Sequence, residues 1–243
     1  MSLIAFQTAL GRTVRARATA APACDDLDLS PQERRSLDHV IDSAGFRTTV
    51  SIQRSWCEAR SASGAQLTLS VLPLEQRRQL VGDWVNSGGG TNSFFAAEAE
   101  AFLQFIEPRL PVPSHAFSLC RLEQAVLRAE AVATGFAARD PAALKDPFCR
   151  LRRGRDAALV GLFAELADLL AAMQRGHALP PLSPDEQFLL VAPGVPGLAR
   201  PAGVGDVALW RSLAEPRTVG RILQRHRRIT LKALWRAGVI EAA

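Results

Sequence analysis

The hydrophobic rhythm of the chain changes once, near residue 136, and that change limits what it can fold into. Before it, apolar residues recur at helical spacing in one segment after another. Ile4, Phe6, Leu10 and Val14 mark the first helix. Ser30-Pro31-Gln32-Glu33 opens a second: Ser30 is an N-cap, Pro31 suits the first turn and Glu33 completes a capping box. Leu37, Val40 and Ile41 form its apolar stripe, and Gly45 is expected to end it. Val50, Ile52, Trp56 and Cys57 lie on a third segment that fades at Ser61–Gly64. Pro73–Val85 predicts another helix, and Gly88-Gly89-Gly90 a break. Ser93 is expected to cap a helix carrying Phe95, Phe102, Leu103 and Ile106. Pro108, Pro111 and Pro113 make a stiff connector, since each proline fixes its own φ and restricts the residue before it. Ser114 then caps the longest helix, to about Thr134.

Beyond residue 136 the apolar runs shorten and turn signals crowd in. Asp140-Pro141 and Asp146-Pro147 are turn dipeptides. Ala157–Ala164 and Phe188–Val191 have strand length. Pro193–Gly197 reads as a turn, with Leu198-Ala199-Arg200 a third strand after it. A short helix is expected over 168–175, and three more over 204–214, 218–226 and 229–237. The last of these is capped by Gly238 and leaves a Val239-Ile240 tail. The expected fold is therefore α+β and mainly α: a helical domain over 1–136, a linker over 137–149, and a small winged-helix-like domain with a three-stranded sheet over 150–243.

Composition narrows the function classes. The chain has 243 residues, 48% hydrophobic and 22% charged, enough to bury a core. It holds no apolar run of membrane-spanning length. Arg12, Arg15 and Arg17 follow the apolar start instead of preceding it, the wrong order for a signal peptide. A cytoplasmic protein without a membrane partner is expected. Cys24, Cys57, Cys120 and Cys149 are scattered, as are His39, His115, His177 and His226, so no metal-ligand spacing is present. Charge is uneven. Residues 1–149 carry 15 basic and 16 acidic side chains, a net −1, and residues 150–243 carry 14 and 8, a net +6. The second half therefore favours an anionic partner, either an acidic peptide or nucleic acid.

Three constellations stand out. The run Ala208–Ile222, with its Glu215-Pro216-Arg217-Thr218 corner, reads as helix-corner-helix, a shape used either for DNA or for a peptide added as a strand. Arg225, His226, Arg227 and Arg228 form a basic knot after it. In the helix after Ser114, His115, Arg121 and Glu123 are polar. Arg121 and Glu123, two residues apart, cannot pair directly, so each is expected to bind another helix or a partner. His115, Ser118 and Cys120 do not make a nucleophile pair, because no third orienting group accompanies them. Phe94 and Phe105 fall off the apolar face of their helix and are candidates for partner contact.

Three stretches, Phe94–Arg128, Arg150–Ala164 and Phe188–Ala202, resemble in this order the MbnC family of methanobactin biosynthesis. The resemblance implies an obligate complex with an iron-containing TIM-barrel oxidase (MbnB-like). That enzyme converts cysteines of a precursor peptide (MbnA-like) into oxazolone–thioamide groups, giving a copper chelator. The barrel would hold the iron. This chain would be a non-catalytic subunit without a cofactor, docking the barrel and binding the leader peptide. Within the matched and basic segments, Leu198, Ala199, Arg200, Ile222, Arg225 and Arg228 are the expected peptide site, the leader adding as a strand along 198–200. Phe94, Phe105, His115, Arg121 and Glu123 are the expected partner contacts. A DNA-binding regulator with a C-terminal winged helix is the alternative, although nucleic acid is not the expected partner. A self-sufficient enzyme would need a cofactor the sequence does not advertise.

Overall fold

A computed structural model describes residues 3–16, 26–90 and 95–243. The chain is mainly α with small antiparallel sheets. It divides into two compact units, one of residues 1–66 and 73–105, the other of 67–72 and 106–243.

The first unit is helical. It contains α1 (Leu3–Ala16), α2 (Pro31–Ile41), α3 (Ala44–Gly64), α5 (Leu74–Asn86) and most of α6 (Phe95–Ile106); the short α4 (Gln66–Ser70) lies between α3 and α5. The capping box at Ser30 forms as expected: Ser30 Oγ accepts from Glu33 N, and the Glu33 carboxylate accepts from Ser30 N. Gly45 does not end α2. That helix stops at Ile41, and Ser43 caps α3 through Phe46 N, leaving Gly45 in the first turn of α3. Ala9, Leu29, Leu37, Ile41 and Phe46 form one core. Elsewhere α3 and α6 approach so closely at Gly64 that a Cβ there would lie 2.3 Å from Ala99 Cβ, so the close approach depends on glycine. The cap expected at Ser93 lies outside the described residues.

The second unit is built on α7 (His115–Ala133), capped by Ser114 Oγ through Phe117 N. The rest comprises β1 (Arg150–Arg153), β2 (Ala158–Leu162), α8 (Leu166–Arg175), β3 (Gln187–Val191), β4 (Ala199–Pro201), α9 (Val204–Ser212), β5 (Arg217–Thr218), α10 (Val219–Leu223), α11 (Arg228–Arg236) and β6 (Ile240–Ala242). The three expected strands form one antiparallel sheet in the order β2-β3-β4. Alternation gives this sheet two apolar faces. Val160, Leu162, Leu189 and Val191 pack on Leu119, Leu122, Ala125 and Ala129 of α7. Leu190 and, less deeply, Leu159 turn the other way, into a core with Leu209, Leu213, Leu231 and Leu234. Each aliphatic side chain fully buried here contributes roughly 1.5–3 kcal/mol.

A second sheet, β5-β1-β6, is a finding of the structure, because Arg150–Arg153 reads in sequence as a charged run. Only Leu151 of that strand is fully buried. The stretch expected as a linker over 137–149 is folded into this unit. Leu144 is 2% exposed, Trp235 Nε1 donates to Asp140 O, and Arg139 Nη1 donates to Ile240 O.

Candidate functional site

A groove of about 850 Å³ runs along β4 in the second unit, walled by α8 and α9. Its floor is apolar. Leu166 and Leu170 come from α8, Phe188 from β3, and Val204, Val207 and Ala208 from α9. Four charged side chains stand at its edges: Glu165, Glu186, Arg200 and Arg211. Arg211 lies over the Phe188 ring at 5.0 Å, and the Arg200 Nη1 is held by Asp206 Oδ2 at 2.7 Å and Pro201 O at 2.8 Å. Asp206 also accepts from Gly203 N, so one carboxylate fixes both the arginine and the start of α9.

Because β4 is the last strand of its sheet, one side of its backbone is unpaired. The phase of the ladder decides which groups face out. Ala202 N donates to Phe188 O and Ala192 N to Leu198 O. In an antiparallel ladder the bonded pairs alternate, so 198, 200 and 202 face β3 while Ala199 and Pro201 turn outward. The open edge therefore offers the Ala199 N–H and carbonyl, while the Pro201 carbonyl on the same edge already accepts from Arg200 Nη1. Pro201 has no N–H to give.

The structure separates the residues expected at the peptide site. Leu198 is not an edge donor: its N–H bonds Val195 O inside the turn, and its φ of 67° is the left-handed region. Ile222, 2% exposed, belongs to the core beneath the three C-terminal helices, and neither Ile222, Arg225 nor Arg228 lines the groove. Ala199 and Arg200 do line it. The walls from α8 and α9 were missed because their apolar residues look like ordinary core-facing stripes; Val204, 89% exposed at the start of α9, is the one that does not fit.

The expected partner contacts also separate. Glu123 is not free: its carboxylate accepts from Leu67 N at 2.7 Å, Thr68 N at 3.0 Å and Thr68 Oγ1 at 2.6 Å, closing the start of α4. Burial pushes its pKa up, against the pull of those three bonds. His115 is nearly buried, with Nε2 against Pro180 O at 2.8 Å; facing a carbonyl, that nitrogen carries the hydrogen. Arg121 stays half-exposed, 3.8 Å from Glu107 and 5.7 Å from the Phe117 ring centroid. Phe105 packs its ring on Trp84 at 5.2 Å in the first unit. Phe94 lies outside the described residues. Cys120 is buried and its thiol is pushed up to about 12, chiefly by desolvation, so it stays protonated at neutral pH.

Among the described residues no helix is long and apolar enough to cross a membrane, and no three His, Cys, Asp or Glu side chains are grouped to hold a metal ion. Compared with models of known protein families and with curated proteins, the chain matches none.

Proposed function

We propose that this chain is a non-catalytic subunit that binds a peptide in the β4 groove and presents it to a partner enzyme. On the resemblance drawn above, the peptide is the leader of an MbnA-like precursor, the partner an MbnB-like TIM-barrel iron oxidase, and the product a methanobactin. The 150–243 segment then acts as a winged-helix-like recognition element in a cytoplasmic heteromeric complex. The observation that carries the reading is one open strand edge lying inside an apolar groove between two helices, an arrangement that receives an extended peptide as an added strand.

Energetics specify the peptide. One N–H and one open carbonyl, at about 1 kcal/mol each, supply ~2 kcal/mol. Micromolar binding needs ~8 kcal/mol after association costs. The balance is apolar, so the leader carries at least two large apolar side chains, alternating toward Leu166 and Leu170 on one side and Val207 and Ala208 on the other. Of the residues first assigned to docking, Arg121 keeps that role, because it is exposed on α7; Glu123 does not.

Co-expression with the neighbouring genes, then purification, tests the assembly: an iron-loaded barrel should co-purify, and Arg121→Ala should reduce its yield. Leader affinity read by fluorescence anisotropy tests the groove. Val207→Glu should weaken binding by about tenfold or more, since it puts a charge against the apolar anchor. Ala199→Pro removes the sole outward N–H and should cost a smaller, several-fold loss. Unchanged leader affinity in both folded variants would sink the site.

A further inference from the structure

Residues 217–236 contain six arginines and one lysine and no carboxylate. Arg221, Arg225, Arg227, Arg228, Lys232 and Arg236 are all exposed. None of them forms an ion pair among the described residues, whereas Arg139 and Arg152 share Glu241 and Arg200 has Asp206. Such a cluster repels itself, and that repulsion is relieved when an anionic partner covers it.

The helix α11 orders part of this charge. Residues four apart on a helix lie one above another, so Arg228, Lys232 and Arg236 form one basic row, stepping about 6 Å each time. Beside it runs a second row, Ile229 and Ala233; Ile229 is 75% exposed and Ala233 is exposed. The opposite side of the helix, Leu231, Leu234 and Trp235, is buried. The outward face of α11 is thus half basic and half apolar.

We infer that this face docks an acidic amphipathic helix of a protein partner, with a row of carboxylates against Arg228, Lys232 and Arg236 and an apolar row over Ile229 and Ala233. A carboxylate row at helical spacing repeats at the same ~6 Å step as the basic row. A phosphodiester backbone would answer the charge but leave Ile229 facing water. The arginine-rich composition agrees, since protein interfaces enrich arginine and deplete lysine. No residue of this face lines the β4 groove, so the surface is separate from the proposed peptide site and stands or falls independently of it.

The test uses the full chain and three labelled probes at equal ionic strength: a helical peptide with glutamate at i, i+4 and i+8 and leucine at i+1 and i+5, a DNA duplex, and a DNA single strand. The peptide should bind most tightly. Arg228→Glu combined with Lys232→Glu should weaken it by about tenfold or more and flatten its salt dependence. Ile229→Ser should weaken it several-fold and leave the salt dependence as it was. Val207→Glu, which should weaken leader binding in the groove, should leave the affinity of this helical peptide unaltered. Tighter binding of either DNA, lost on charge reversal, would make this a nucleic-acid surface and overturn the inference. So would failure of the peptide to bind, or unaltered peptide affinity in charge-reversed or Ile229→Ser protein that keeps the parent's circular dichroism and melting temperature.

Discussion

Glu123 shows how one side chain can serve the fold where its sequence position suggests a partner. Two residues from Arg121 on α7, it is expected to bind another helix or a partner. In the structure it satisfies three donors of Leu67 and Thr68, fifty-six and fifty-five residues earlier. Nothing local in the sequence announces such a bond, because its partners are ordinary backbone amides. Glu123→Ala would leave those donors without an acceptor and should destabilise the chain by roughly 2–3 kcal/mol, measured by urea unfolding. The sign of its pH response is also fixed. The folded pKa is raised above the unfolded value, so the folded state binds the proton more tightly over that window. Glu123 therefore lowers stability as pH rises through the window, and the effect is fully present above the folded pKa. Unfolding free energies of parent and Glu123→Gln should diverge in slope as pH rises above 4.5; parallel curves would refute the assignment. Leu198 is a second residue-scale lesson. A left-handed φ of 67° is incompatible with proline, so Leu198→Pro breaks the turn itself and should cost about 3 kcal/mol or more. It is not a selective probe of peptide binding.

At the scale of elements, the helices and the β2-β3-β4 sheet were legible because each carries its own local signal. Ser30, Ser114 and Thr218 cap the helices they precede. The apolar runs around Val160 and Leu190 are long enough to read as strands and sit between clear turn residues. Strands β1, β5 and β6 were not legible. Arg150-Leu-Arg-Arg153 buries one side chain, β5 has two residues, and all three exist through pairing across the chain, Leu151 with Arg217 on one side and Ala242 on the other. The groove fell in the same blind spot, since it is made by the phase of a ladder and by which wall of α9 is left uncovered. Helix contacts give a sharper prediction. Gly64→Val forces a side chain into Ala99 and should destabilise by about 2 kcal/mol or more in thermal unfolding. Adding Ala99→Gly should recover part of that loss; no recovery would show that the two positions do not share the contact.

For the whole molecule, the expected border at 137–149 lies inside the second unit. The chain passes between units at three points, after Gln66, after Leu72 and after Phe105. A fragment starting at residue 137 lacks α7 and so strips one face of the β2-β3-β4 sheet, exposing Val160, Leu162, Leu189 and Val191. It should be recovered insoluble, whereas a fragment starting at 106 keeps α7 and should be recovered in the soluble fraction at higher yield; equal solubility would mean α7 is dispensable to the sheet.

The bond between Glu123 and the start of α4 also has a schedule. Ribosomes deliver about 5–20 residues per second. Leu67 and Thr68 therefore leave the ribosome about 3–11 s before the carboxylate that will close them, fifty-six and fifty-five residues later. Throughout that interval the nascent helix start has only water, or a chaperone, to hold it. Slow codons placed between residues 72 and 123 would prolong that wait, and fast ones would shorten it, without changing a single amino acid.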